Sequence, residues 1–179
     1  MWLSTHLFWL SVPPDYQQKL GQPFVRPSLI GEFANIPEEQ WDHRASEGAR
    51  SVRELAAHIA AAGIGFTAEL IAAQPSFKSV REKQAESEAR FARLTKGEML
   101  ALLKTSGEEN AKQLRGAGHS LAEKTMSAFG GEQSRLSGLW FAAAHEMYHR
   151  GQAATYARSL GIVPAMTQRT QSATIPPRR

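Results

Sequence analysis

The chain has 179 residues, the length of one domain, with 42% hydrophobic and 21% charged residues. That composition fits a folded globular protein and excludes a disordered one. There is no cysteine, which excludes disulfides, iron–sulfur clusters, thiolate zinc sites and a cysteine nucleophile, and leaves only His, Asp and Glu as metal ligands. The net charge of +4 is uneven: Arg150, Arg158, Arg169, Arg178 and Arg179 follow residue 149 with no acid among them, so the preceding residues sum to −1. The body of the chain therefore lacks the clustered Lys/Arg stripe of a nucleic-acid binder, and no direct nucleic-acid contact is expected.

The N-terminal stretch Met1 to Pro14 is apolar. It has neither the positive n-region nor the small-residue cleavage site of a secretory signal, and it falls short of the ~20 residues that span a bilayer. Residues 1–35 are expected to be an irregular segment, broken by Pro23 and Pro27, with a short first helix over 28–35. A helical bundle is expected over 36–164, and a flexible basic tail over 165–179. Ser51 with Glu54 forms a capping box, in which the Ser side chain caps the third free N–H and the Glu reaches back. It predicts a helix to about Ala73, ended by Gln74-Pro75. This stretch is Ala-rich, but His58 and Glu69 interrupt it, so a buried helix fits better than a membrane span. Residues 79–94 are charged and helix-favouring, a helical or mobile connection. Thr95 with Glu98 opens a second capped helix, stopped by Gly116 and Gly118. The last helix begins near Ser134 and runs to about Leu160, with Gly161 as its C-cap glycine and Pro164 beyond. No alternating pattern runs far enough to predict a sheet. The expected fold is all-α, most simply an antiparallel four-helix bundle.

His145-Glu146-Met147-Tyr148-His149 lies within the last predicted helix. At ~100° per residue, positions four apart face almost the same way, so two imidazoles can reach one cation. The string also fits H-E-x-x-H, the zincin signature, in which the Glu is the general base. That reading needs a third ligand downstream, and no His, Asp or Glu follows His149. Glu146, ~100° round the helix from His145, is expected to face a neighbouring helix. A third ligand must come from upstream: His6, His43, His58, His119 or a carboxylate. Of these, His58 stands within the apolar run Leu55-Ala56-Ala57-His58-Ile59-Ala60, where a bare imidazole would cost a few kcal/mol without a partner. Three imidazoles with an open position suit a zinc- or nickel-type site. Against this stands the plainer reading of such histidines as satisfied core residues. Trp140, Phe141 and Tyr148 are expected to be core or pocket wall, and Arg150 to pair with Glu146 one turn away.

Three stretches resemble the DinB-like (DinB/YfiT) family. They are Ser51-Val52-Arg53-Glu54-Leu55-Ala56-Ala57-His58, His145-Glu146-Met147-Tyr148-His149-Arg150-Gly151-Gln152, and the ending Arg158-Ser159-Leu160-Gly161-Ile162-Val163-Pro164. Leu94-Thr95-Lys96-Gly97-Glu98 is also similar, and the resemblance covers about 36–164. It implies a four-helix bundle, often a homodimer, in which His58, His145 and His149 hold a divalent metal, Zn or Ni. It also implies a small-molecule partner, since some relatives transfer low-molecular-weight thiols. The expected function is a metal-dependent thiol transferase in the cytoplasm. The alternatives are a metal-dependent hydrolase, with Glu146 or Tyr148 handling protons, and a non-catalytic helical module.

Overall fold

The computed structural model describes residues 25–73, 77–118, 121, 125–128 and 131–172. The expected irregular segment before residue 25, the candidates His6 and His119, and the end of the tail lie outside them. The main helices are α1 (Val25–Asn35), α2 (Val52–Ile71), α3 (Phe77–Phe91), α4 (Lys96–Ala117), α5 (Arg135–Ser159) and α6 (Ala165–Ser172). α1, α2, α4 and α5 form a four-helix bundle, with α3 packed along α2 and α6 against α1.

The antiparallel arrangement holds for two of the four neighbouring pairs. α2 runs against α5, because Tyr156 donates to Arg50 O at one end and Arg135 to Leu70 O at the other. α1 runs against α4, because Lys96 Nζ donates to Ile36 O while Arg26 donates to Leu103 O. α2 and α4 run parallel: Arg53 reaches Leu94 O at their starts, and Gly63 faces Asn110 further along. The cause is α3, which carries the chain back along α2 before α4 begins. α1 and α5 are parallel as well, joined by Arg26 with Glu146 and by Asn35 with Val163 O.

Local chemistry sets the helix starts. Both capping boxes form: Ser51 Oγ accepts from Glu54 N at 3.2 Å while Glu54 Oε2 accepts from Ser51 N at 2.8 Å, and Thr95 with Glu98 repeats the device. Gly161, with φ +73, closes α5 in a left-handed conformation that other residues rarely adopt. α2 is long and apolar enough to cross a membrane, but most of that stretch is buried in the bundle. Its buried Ala56, Ala57 and Ala60 let the neighbouring helices approach closely.

Three parts depart from the expectations. α1 is a wall of the bundle, since Leu29 and Phe33 are fully buried beside Ile36 and Trp41. Each such large side chain contributes ~1.5–3 kcal/mol. The boundary expected between residues 35 and 36 therefore falls inside the bundle. Pro27 is tolerated because it occupies the first turn, where its missing N–H is not needed. Second, the tail expected from residue 165 begins as α6. The buried carboxylate of Glu32 accepts from Ala165 N at 2.8 Å and Met166 N at 2.9 Å, holding the helix start in place. Third, a short antiparallel hairpin, β1 (Thr125–Ala128) with β2 (Gly131–Ser134), precedes α5. Four residues per strand are too few to leave a readable alternation.

Candidate metal centre

His58 sits about a third of the way along α2, facing α5 where His145 and His149 stand one turn apart. The antiparallel contact of the two helices brings the three rings together. His145 Nε2 lies 3.1 Å from His58 Nε2 and 3.0 Å from His149 Nε2. One nitrogen from each ring falls within 4.8 Å of the others. His149 is buried and the other two are partly so. Phe66 from α2 packs edge-on against the His145 ring at 5.4 Å, and Phe141 packs on Phe66 in the same manner. His43 stands apart, with its Nε2 3.0 Å from Ser159 Oγ.

The outer nitrogens are also engaged. His58 Nδ1 is 2.8 Å from Glu88 Oε1 on α3, and His149 Nδ1 is 2.7 Å from Gln152 Oε1. A carboxylate accepts and an amide oxygen accepts, so these contacts favour the proton on Nδ1 in both rings and a lone pair on each Nε2. At His58 the shorter contact to Glu88 competes with the Gln84 Nε2 donor, 3.2 Å from the same Nδ1. Burial, then the neighbouring His149 and His58, push the His145 pKa down to about 3. Burial likewise lowers that of His149, against the pull of Gln152. These rings are neutral at physiological pH, the form that ligates metal.

The converging nitrogens pose a hydrogen-bonding problem that protons alone do not solve. His145 Nε2 faces two lone pairs and carries at most one proton, aimed at one of them. A divalent cation satisfies all three nitrogens at once. Zn–N bonds of ~2.0–2.1 Å in tetrahedral geometry place ligand nitrogens ~3.3 Å apart, close to the 3.1 and 3.0 Å that separate His145 Nε2 from its two neighbours. The residues therefore fit a metal with three imidazole ligands and an open position.

Glu146 is turned away from this cluster. Its carboxylate pairs with Arg26 of α1, which approaches it with both Nε and Nη2. Arg26 reaches it between two glycines: a Cβ on Gly63 would lie 2.8 Å from Arg26 Nη2, and one on Gly107 would lie 3.0 Å from Arg26 Cγ. The offset of Glu146 round the helix was readable in the sequence, but its partner was not. Trp140 and Tyr148, expected as core or pocket wall, are 53% and 65% exposed. Tyr148 stands at the rim, where its hydroxyl accepts from Gln152 Nε2 at 3.1 Å. Sequence reasoning also missed Glu88, whose only signal was an acid in the segment taken as a connection.

A helical bundle whose core side chains converge on one point from two facing helices belongs to the class that builds metal sites between its helices. The chain belongs to the DinB family, whose profile matches residues 26–178. Two solved structures share its fold. A DinB-like protein of Bacillus subtilis, YjoA, is 20% identical, with a TM-score of 0.60 over 76% of this chain and 85% of its own. YfiT of Bacillus subtilis, described as "a probable metal-dependent hydrolase with an unusual four-helix bundle topology", is 16% identical, with a TM-score of 0.62 over 85% of this chain and 91% of its own. No curated protein sequence matches the chain.

Proposed function

We propose that His58, His145 and His149 hold a divalent metal ion, and that the protein uses it to transfer a low-molecular-weight thiol to a small electrophile. The convergence of three imidazole nitrogens supports the metal. A bound divalent cation supplies a Lewis-acid position that lowers the pKa of a thiol or a water held there. The engagement of Glu146 by Arg26 favours a thiol as nucleophile, because it removes the carboxylate that a zincin-like hydrolase would use as base. A thiol needs little more than the metal to become nucleophilic at neutral pH. The chain's part is then to present three imidazoles, cover the His145 ring with Phe66, and leave one side open near Tyr148.

The second reading is metal-dependent hydrolysis, supported by the likeness to YfiT. Elemental analysis tests the metal first. The wild type is expected to carry about one divalent ion per chain, and His58→Ala and His145→Ala to carry none. A wild type that stays metal-free after reconstitution, with all three proteins folded, would overturn both readings. Assays with thiols and electrophiles then separate the two: metal-dependent thiol consumption supports transfer, and turnover of an ester or amide without thiol supports hydrolysis.

A further inference from the structure

We infer that Glu88 is a positioning residue: from α3 it fixes the tautomer and orientation of His58, so that the Nε2 lone pair points at the metal position. The inference rests on the metal-binding reading above. Glu88 Oε1 lies 2.8 Å from His58 Nδ1, on the side of the ring opposite the converging nitrogens. A neutral imidazole has one N–H and one lone pair, and in water the proton favours Nε2. That tautomer would turn an N–H toward the cation and forbid ligation. The carboxylate can only accept, so it draws the proton to Nδ1 and frees Nε2.

Glu88 is itself held. Gln84 Nε2, one turn earlier on α3, lies 3.2 Å from His58 Nδ1 but donates to the same Oε1 at the shorter 2.8 Å, and Arg50 Nη2 stands 3.9 Å from Oε2. The carboxylate also places a negative charge one ring away from a cation whose three ligands are all neutral. Among the described residues, the Nδ1 of His149 meets no such carboxylate; its partner is the neutral Gln152 amide. Of these two outer contacts, the one to His58 therefore carries charge as well as orientation. This gives α3 a task beyond linking α2 to α4. Carboxylates placed behind ligating imidazoles contribute ~10–100-fold to metal affinity in other sites.

The test uses the full chain, wild type beside Glu88→Ala, with Glu88→Leu as a second variant should the alanine protein not fold. In metal-free, 15N-labelled protein, the ring nitrogen shifts of His58 report its tautomer, which a merely structural role for Glu88 would leave alone. Zinc affinity is measured separately by competition with a chelator. The wild type is expected to show Nδ1–H at His58. The variant is expected to show a shift toward Nε2–H and zinc affinity ~10–100-fold weaker. An unchanged tautomer, or affinity within threefold of wild type, would overturn the assignment. A wild type that binds no zinc would instead count against the metal reading, while the tautomer comparison would still decide what Glu88 does to His58.

Discussion

Arg26 and Glu146 form a largely buried ion pair, their side chains 11% and 16% exposed. Removing one partner of such a pair leaves a charge without compensation. Glu146→Ala is therefore expected to cost on the order of 3 kcal/mol in urea unfolding. Gly63→Ala should act on the same contact from the other side, because its new Cβ would meet Arg26 Nη2. The guanidinium would have to swing away, at a cost of ~1–3 kcal/mol. The two losses should not add. A double-mutant cycle is expected to show Gly63→Ala nearly silent once Glu146 is alanine, and full additivity would refute the shared mechanism. At this scale the sequence was legible where chemistry is local. His145 and His149 declared themselves by sitting four apart on one helix, and His58 by interrupting an apolar run. Arg26 did not, since its partner is 120 positions away and nothing local marks the gap that Gly63 and Gly107 leave for it.

Helix starts repeat this division between local and distant causes. The capping boxes at Ser51 and Thr95 span three residues each, so they could be read directly and both formed. α6 depends on Glu32, more than 130 positions upstream, and could not be read as a helix. Trp140, expected as core or pocket wall, lies roughly 220° round α5 from His145, away from the ligand face, and is exposed. Replacing Ser51 with Ala should cost about 1 kcal/mol, read by thermal or denaturant unfolding. Glu54 adds a pH dependence. The hydrogen bonds from Arg44, and then from the Ser51 backbone, hold its carboxyl below the ordinary 4.5. A carboxyl with a depressed folded-state pKa stabilises the fold above its unfolded value and loses that contribution as pH falls through the folded one. Wild type should thus exceed Glu54→Gln in stability at neutral pH, and the gap should close below about 4.5. The gap should be modest, because the side chain is 40% exposed and water screens the pair. A gap that persists at pH 3 would argue against this account.

For the whole molecule, a metal that binds only the folded state is a stabiliser by mass action. Zinc at a hundred times its dissociation constant should add ~2.7 kcal/mol. For a chain of this size that raises the melting temperature by roughly 5–10 °C. His58→Ala should abolish the shift, and a shift that survives it would place the bound zinc elsewhere. The bundle as a class was legible from its capped, periodic helices, but the order of its neighbours was not. The parallel pairing of α2 with α4 follows from α3, whose charged sequence carries no record of the direction in which it returns the chain. That route has a kinetic consequence. His58 and His145 are 87 positions apart, so a cation joining them staples shut a segment containing α3, α4 and the hairpin. The staple cannot close until α2 and α5 have docked, after the costly search for that contact is over. Zinc should therefore slow unfolding in proportion to the stability it adds and leave the refolding rate nearly unchanged, making the metal a lock on the finished bundle rather than a guide to its assembly.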